Sequence, residues 1–143
     1  MTDKISTLHR ILLWLCVVSS FLFGFGYYLD PGFTTSLLNV NAPDLIAIST
    51  IGGFLIAAFV GASLSLKSGL WSEVRIATYY LLTWSLLNGL LMLWFIFKEK
   101  EAGLWPNTIL CLVIGIGLSY VVIKRMNFSK DEVGRHDHSL SKS

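Results

Sequence analysis

Charge is missing from four long stretches of this chain. Residues 11–28, 45–66, 76–97 and about 108–123 contain no Asp, Glu, Lys, Arg or His, although the 143 residues include eleven Lys and Arg, nine Asp and Glu and three His. Proton relays, ion sites and haem ligation inside a bilayer depend on ionisable side chains at depth. Their absence from the runs removes most of that chemistry, bis-imidazole haem ligation included. Also absent are a glycine-rich phosphate loop, a Ser/His/Asp grouping, a Cys-x-x-Cys pair and a His-Glu-x-x-His motif. The sequence describes an architecture more than an activity. No catalytic residue, metal site or cofactor is expected.

What is present is apolar: 54% of residues are hydrophobic and 14% charged. A bilayer core of about 30 Å needs roughly 20 apolar residues of helix. The middle two runs meet that length, and the first approaches it if Leu8 is counted. The fourth does so if Leu104 and Trp105 extend it through Pro106, since proline is tolerated in a first helical turn. The runs are apolar on every face, which argues against a soluble bundle with polar stripes. Lys4 and Arg10 precede the first run as in a signal peptide, but no small-x-small cleavage pattern follows, so it reads as a retained span. The expected fold is all-α, a membrane-embedded four-helix bundle over residues 1–125. A polar, disordered cytoplasmic tail is expected over 126–143. The lipid bilayer is the expected partner. A net charge of +2, dispersed along the chain, gives no reason to expect nucleic acid.

Orientation follows from Lys and Arg. Lys4, Arg10, Lys67, Arg75, Lys124, Arg125, Lys130, Arg135 and Lys142 fall on the side of the termini. Only Lys98 and Lys100, offset by Glu99 and Glu101, fall on the other. Both termini are therefore expected in the cytoplasm. Trp14, Tyr27, Tyr28, Trp71, Trp94 and Trp105 lie near span ends, where amphipathic rings anchor helices at the interface. Between the first two spans, Asp30-Pro31 is a cap and first-turn signal. Phe33, Leu37 and Leu38 then share one face, which predicts a short interfacial helix ending near Asn39 or Asn41. That helix is either a connector on the headgroups or a lid. Asn41, Pro43 and Asp44 supply start signals for the second span.

Two constellations stand out. Ser49, Gly53, Ala57, Gly61 and Ser65 place a small residue at every fourth position of the second span. They predict a face that lets another helix approach closely, within the bundle or from a second copy. The third span carries the most polar cluster. Thr83, Trp84, Ser85 and Asn88 define a candidate pocket that should point inward, with Asn88 hydrogen-bonded to a neighbouring helix through Ser19, Ser20 or Ser119. Cys16 and Cys111 sit at different depths of antiparallel helices, so the expectation is two buried thiols without a mutual disulfide. His136 and His138, in a flexible tail without a Cys partner, make a poor metal site.

The order of features resembles a group of small four-span bacterial membrane proteins known only as a domain of unknown function. The residues that carry the likeness are Tyr28-Leu-Asp-Pro31 with Leu37-Leu38, then Ile51-Gly-Gly-Phe54, and it covers roughly residues 8–125. The family tends to carry an Arg shortly before the Gly-Gly, where this chain has Ser49 and Thr50. The resemblance implies a fold and a bacterial inner-membrane location without an activity. The expected role is a non-enzymatic accessory, assembly or interaction subunit, associating with itself or another membrane protein. The alternative is a passive carrier or binder of a small neutral, quinone-like or lipid-like molecule. Enzymatic chemistry would have to use loop residues such as Asp30, Asp44, Glu73 or Arg75. A proton-coupled exporter would need an intramembrane carboxylate that the runs lack.

Overall fold

The computed structural model describes residues 3–39, 44–100 and 102–140, the side chains of 102 and 128–140 aside. The start signals at Asn41 and Pro43 lie outside the described residues. Helices α1 (Thr7–Leu29), α2 (Pro31–Leu37), α3 (Leu45–Ser68), α4 (Trp71–Glu99) and α5 (Trp105–Leu140) follow in order, with a 3-10 turn at Ala102–Leu104 leading into α5. Helices α1, α3 and α4, and α5 over Trp105–Asn127, are long and apolar enough to cross a membrane. The protein is an all-α four-helix bundle with one short extra helix, as the sequence predicts.

Local chemistry sets the boundaries. The Ser6 hydroxyl accepts from His9 N at 3.2 Å to open α1, and the Asp30 carboxylate accepts from Phe33 N at 2.9 Å to open α2. Asp44 accepts from both Ile46 N and Ala47 N at 3.0 Å to open α3. Each such cap is worth about 1 kcal/mol. Gly69, at φ 66°, closes α3 in the left-handed region that suits glycine. Helix α2 ends in the left-handed Asn39, with Phe33 and Leu37 exposed and Leu38 half-buried.

The start of α4 is capped from far away. Its first residues follow Leu70, which offers no side-chain cap. Asp3 takes the role: its carbonyl accepts from Trp71 N at 2.6 Å and its carboxylate from Ser72 N at 3.2 Å. Ile5 N in turn donates to Gly69 O at 2.9 Å, so residues 3–5 form a strap across the α3–α4 turn. A carboxylate here also meets the positive end of the α4 dipole.

The most extensive packing is of α1 on α3 and of α4 on α5, with α1–α5 and α3–α4 contacts closing the bundle. A Cβ on Gly52 would lie 2.5 Å from Tyr28 N and 2.9 Å from Gly24 O, so α1 and α3 nearly touch backbone to backbone. In the other pair, Gly89 faces Leu112 and Gly115 faces Leu86. At the α2 end, a Cβ on Gly103 would strike Leu38 O at 1.9 Å, which holds the tip of α2 against the α4–α5 connection.

The predicted small-residue row does not form one packed face. Ser65 is buried, and Ser49 donates to Tyr27 O of α1 at 3.4 Å. Gly53 only approaches the Tyr28 ring, Ala57 is exposed, and a Cβ on Gly61 would meet nothing within 4 Å. The reason is geometric: residues four apart precess by about 40° per step, so five positions sweep about 160° around the helix. Gly52, Ala58, Ala62 and Ser65 are the buried small residues of α3.

A second departure concerns the C-terminal segment, expected to be disordered from Met126. Helix α5 continues through Leu140. A helix already nucleated in a span propagates without paying nucleation again.

These contacts separate two glycine substitutions. Gly52→Ala should destabilise the bundle by about 1–3 kcal/mol, because backbone atoms must move. Gly61→Ala should be neutral or gain up to about 1 kcal/mol from helix propensity. Thermal unfolding in detergent, followed by far-UV circular dichroism, checks both. Equal effects would contradict the close α1–α3 approach.

Candidate functional site: a buried histidine and a polar crevice

His9 lies in the first turn of α1 and is fully buried. Sequence reasoning placed every histidine at or beyond the span ends; the helix instead starts at Thr7 and carries this ring inward. One signal could have located it. His9, Leu13, Cys16, Ser20, Gly24 and Tyr27, at spacings of three and four, are all buried residues of α1, so extending the inner face of the span backwards reaches His9.

The Thr78 hydroxyl of α4 lies 3.0 Å from His9 Nε2 and donates its proton to Val74 O at 2.9 Å. With that proton committed, Nε2–H is the donor to Thr78 Oγ1. Nδ1 is buried and has no hydrogen-bond partner among the described residues. Trp71 packs edge-on against the imidazole at 5.7 Å between ring centres. The Arg125 guanidinium of α5 lies 5.6 Å from the Trp71 ring centre and also donates to Lys4 O in the strap. One end of the bundle is thus tied together by α1, α4, α5 and the strap around a histidine.

The second feature lies deeper. Cys16, Ser19 and Ser20 of α1, Trp84 and Ser85 of α4, and Asn107 and Cys111 of α5 border a crevice of about 30 Å³. That is room for one or two waters. Both cysteines are free thiols on this common crevice. Trp84 and Ser85 of the predicted pocket therefore do meet Ser19 and Ser20. Thr83 is exposed and Asn88 is not part of the crevice. Asn88 is half-buried and donates to Trp84 O of its own helix at 2.9 Å, in place of the expected bond to a neighbouring helix.

That pattern is general. Ser19, Thr50, Ser65, Thr108 and Ser119 likewise donate to carbonyls four residues back, at 2.7–2.9 Å. Such local bonds compete with bonds between helices. Between spans, Ser49 donates to Tyr27 O, His9 pairs with Thr78, and the Arg125 guanidinium of α5 packs over Trp71 of α4. Chemically the crevice offers hydroxyls, thiols and an amide but no base. No group of three metal-ligating side chains occurs among the described residues. The tail histidines, His136 and His138, lie where side chains are outside the described set. Of the predicted interfacial rings, Trp14, Tyr28, Trp94 and Trp105 are exposed, whereas Tyr27 is buried and Trp71 half-buried on the inner side.

No family model matches the chain, and none of the curated proteins or solved structures does so.

The roles of Thr78 and Asn88 can be separated. Thr78→Val leaves the buried Nε2–H of His9 without an acceptor and should cost about 1–3 kcal/mol. Asn88→Leu loses a local bond on a half-buried face and should cost no more than about 0.6 kcal/mol. Denaturation in mixed micelles measures both; a larger loss for Asn88→Leu would contradict these assignments.

Proposed function

We propose that this protein is a non-catalytic, multi-pass membrane subunit that acts by association through the outward face of α3. The observation that carries this reading is the open space at half-buried Gly61, where a Cβ would meet nothing within 4 Å, one turn from the exposed Ala57. In lipid, a strip of such small residues favours close approach of another helix, driven by dispersion contacts. A second copy is the simplest occupant, since a two-fold pair lets each strip receive the other. The polar side chains of the spans support the same reading, because most satisfy their own helix instead of converging on a substrate. The crevice between the helices has a tenth or less of the volume of a typical small-molecule site. The alternative role of quinone or lipid carrier therefore draws no support from it. The resemblance of its motif order to small four-span bacterial membrane proteins is the ground for placing it in an inner membrane.

Two measurements test the proposal. Gly61→Cys in membranes should form a disulfide-linked dimer under mild oxidation, while the wild type, with Cys16 and Cys111 turned inward, should not. Gly61→Leu should lower the dimer fraction about tenfold without unfolding the protein. A monomer throughout would overturn association through α3. The basic bias predicts both termini in the cytoplasm. A reporter fused after Ser143 should be active only in its cytoplasmic form, and one inserted near Gly32 only in its external form. The opposite pattern would refute the orientation.

A further inference from the structure

A separate groove of about 340 Å³ lies between α1 and α3, at the end of the bundle that carries the strap. Arg10, Trp14 and Val17 of α1 and Ser63, Leu66 and Lys67 of α3 line it. On α1 the three residues stand at i, i+4 and i+7, and on α3 at i, i+3 and i+4, so each helix presents one face. The groove is graded along its depth. Arg10 is in the first turn of α1 and Lys67 in the last turn of α3. Leu66 lies beside Lys67 at the rim, Trp14 and Ser63 come one turn further in, and Val17 is the deepest of the six.

Both cations are exposed, and among the described residues neither pairs with a carboxylate. The nearest acidic side chains in sequence are engaged elsewhere: Asp3 on Ser72 and Glu73 on Ser68. The Arg10 guanidinium reaches the α3 C-terminus, where a Cβ on Gly69 would lie 3.1 Å from it. Trp14 is 58% exposed one turn from Arg10, and indoles near span ends favour the interfacial region of a bilayer.

We infer that this groove binds an anionic glycerophospholipid from the leaflet on the strap side. Its phosphate sits between Arg10 and Lys67 beside Leu66, its glycerol backbone beside Trp14 and Ser63, and an acyl chain against Val17 and the apolar surface beyond it. Basic pockets between spans recognise anionic headgroups in this way, each cation adding to the attraction. Charge complementarity fixes the occupant's sign, and the apolar wall below the cations distinguishes a lipid from a free anion. The inference rests on membrane embedding of the helices and not on association through α3.

Native mass spectrometry of the full chain, released from micelles doped with phosphatidylglycerol or phosphatidylcholine of the same acyl chains, tests it. The wild type should retain one phosphatidylglycerol in at least about tenfold preference. Arg10→Gln with Lys67→Gln should abolish the preference, while Lys98→Gln with Lys100→Gln, which removes equal charge at the other end, should leave it intact. Ser63→Phe fills the groove without touching either cation and should also lose the lipid, which decides the matter if the double variant fails to fold. Equal retention of both lipids by the wild type, an unchanged preference in the groove variants, or displacement by millimolar inorganic phosphate would each overturn the proposal.

Discussion

The contact on which the rest of the bundle depends is the near-touching of α1 and α3 at Gly24 and Gly52. Two helices that approach until a Cβ would overlap backbone atoms gain dispersion contacts along their length, the main attraction left to helices in lipid. That approach brings Ser49 within reach of Tyr27 O and lets Phe21 and Phe25 gather around Phe59 at 5.7 and 6.3 Å. It also sets the separation that α2 must bridge, which explains why Asp30 both terminates α1 and caps α2. The α4–α5 pair is less severe, because its glycines meet leucine side chains that can shift. Stiffness is thus concentrated in the first pair.

The opposite end of that pair is held by polar groups. A buried imidazole with one satisfied nitrogen is costly, and it sits where other bonds converge: Asp3 capping α4, Ile5 on Gly69 and Arg125 on the strap. These contacts join residues far apart in sequence, so the strap end closes only when α1, α4 and α5 are all in place. His9 and Thr78 fix the rotation of α1 against α4, a specification that apolar surfaces alone provide weakly. A polar pair near a helix end obtains that specificity without exposing a charge to the middle of the bilayer.

The helices and two of their caps were legible because they rest on local rules: apolar length, Asp30-Pro31 and Asp44 each act within a few residues. What faces what was not, for two reasons. A row of small residues four apart looks like a face in one dimension, yet its slow precession carried Ala57 and Gly61 outward while Gly52 made the close contact. Polar side chains such as Asn88 have an acceptor in their own preceding turn that sequence reasoning undervalued, so the expected bond to another helix did not form. His9 escaped notice because spans were bounded by charge, whereas the helix boundary was set by the Ser6 cap, one turn earlier.

The two surfaces proposed for α3 do not compete. At about 100° per residue, Ser63 and Lys67 lie roughly 160° and 120° around the helix from Gly61, and roughly 120° and 80° from Ala57. One sector is shared with α1 and lined by cations at its rim; the other holds the exposed Ala57 and the half-buried Gly61 and carries no charge. A lipid held against α1 therefore leaves the small-residue strip free. Removing the cations should not change the monomer–dimer balance, nor should filling the strip change lipid preference. The same helix can carry both roles because α1 and α4 cover less than its full circumference, and what they leave divides into two chemically distinct sectors.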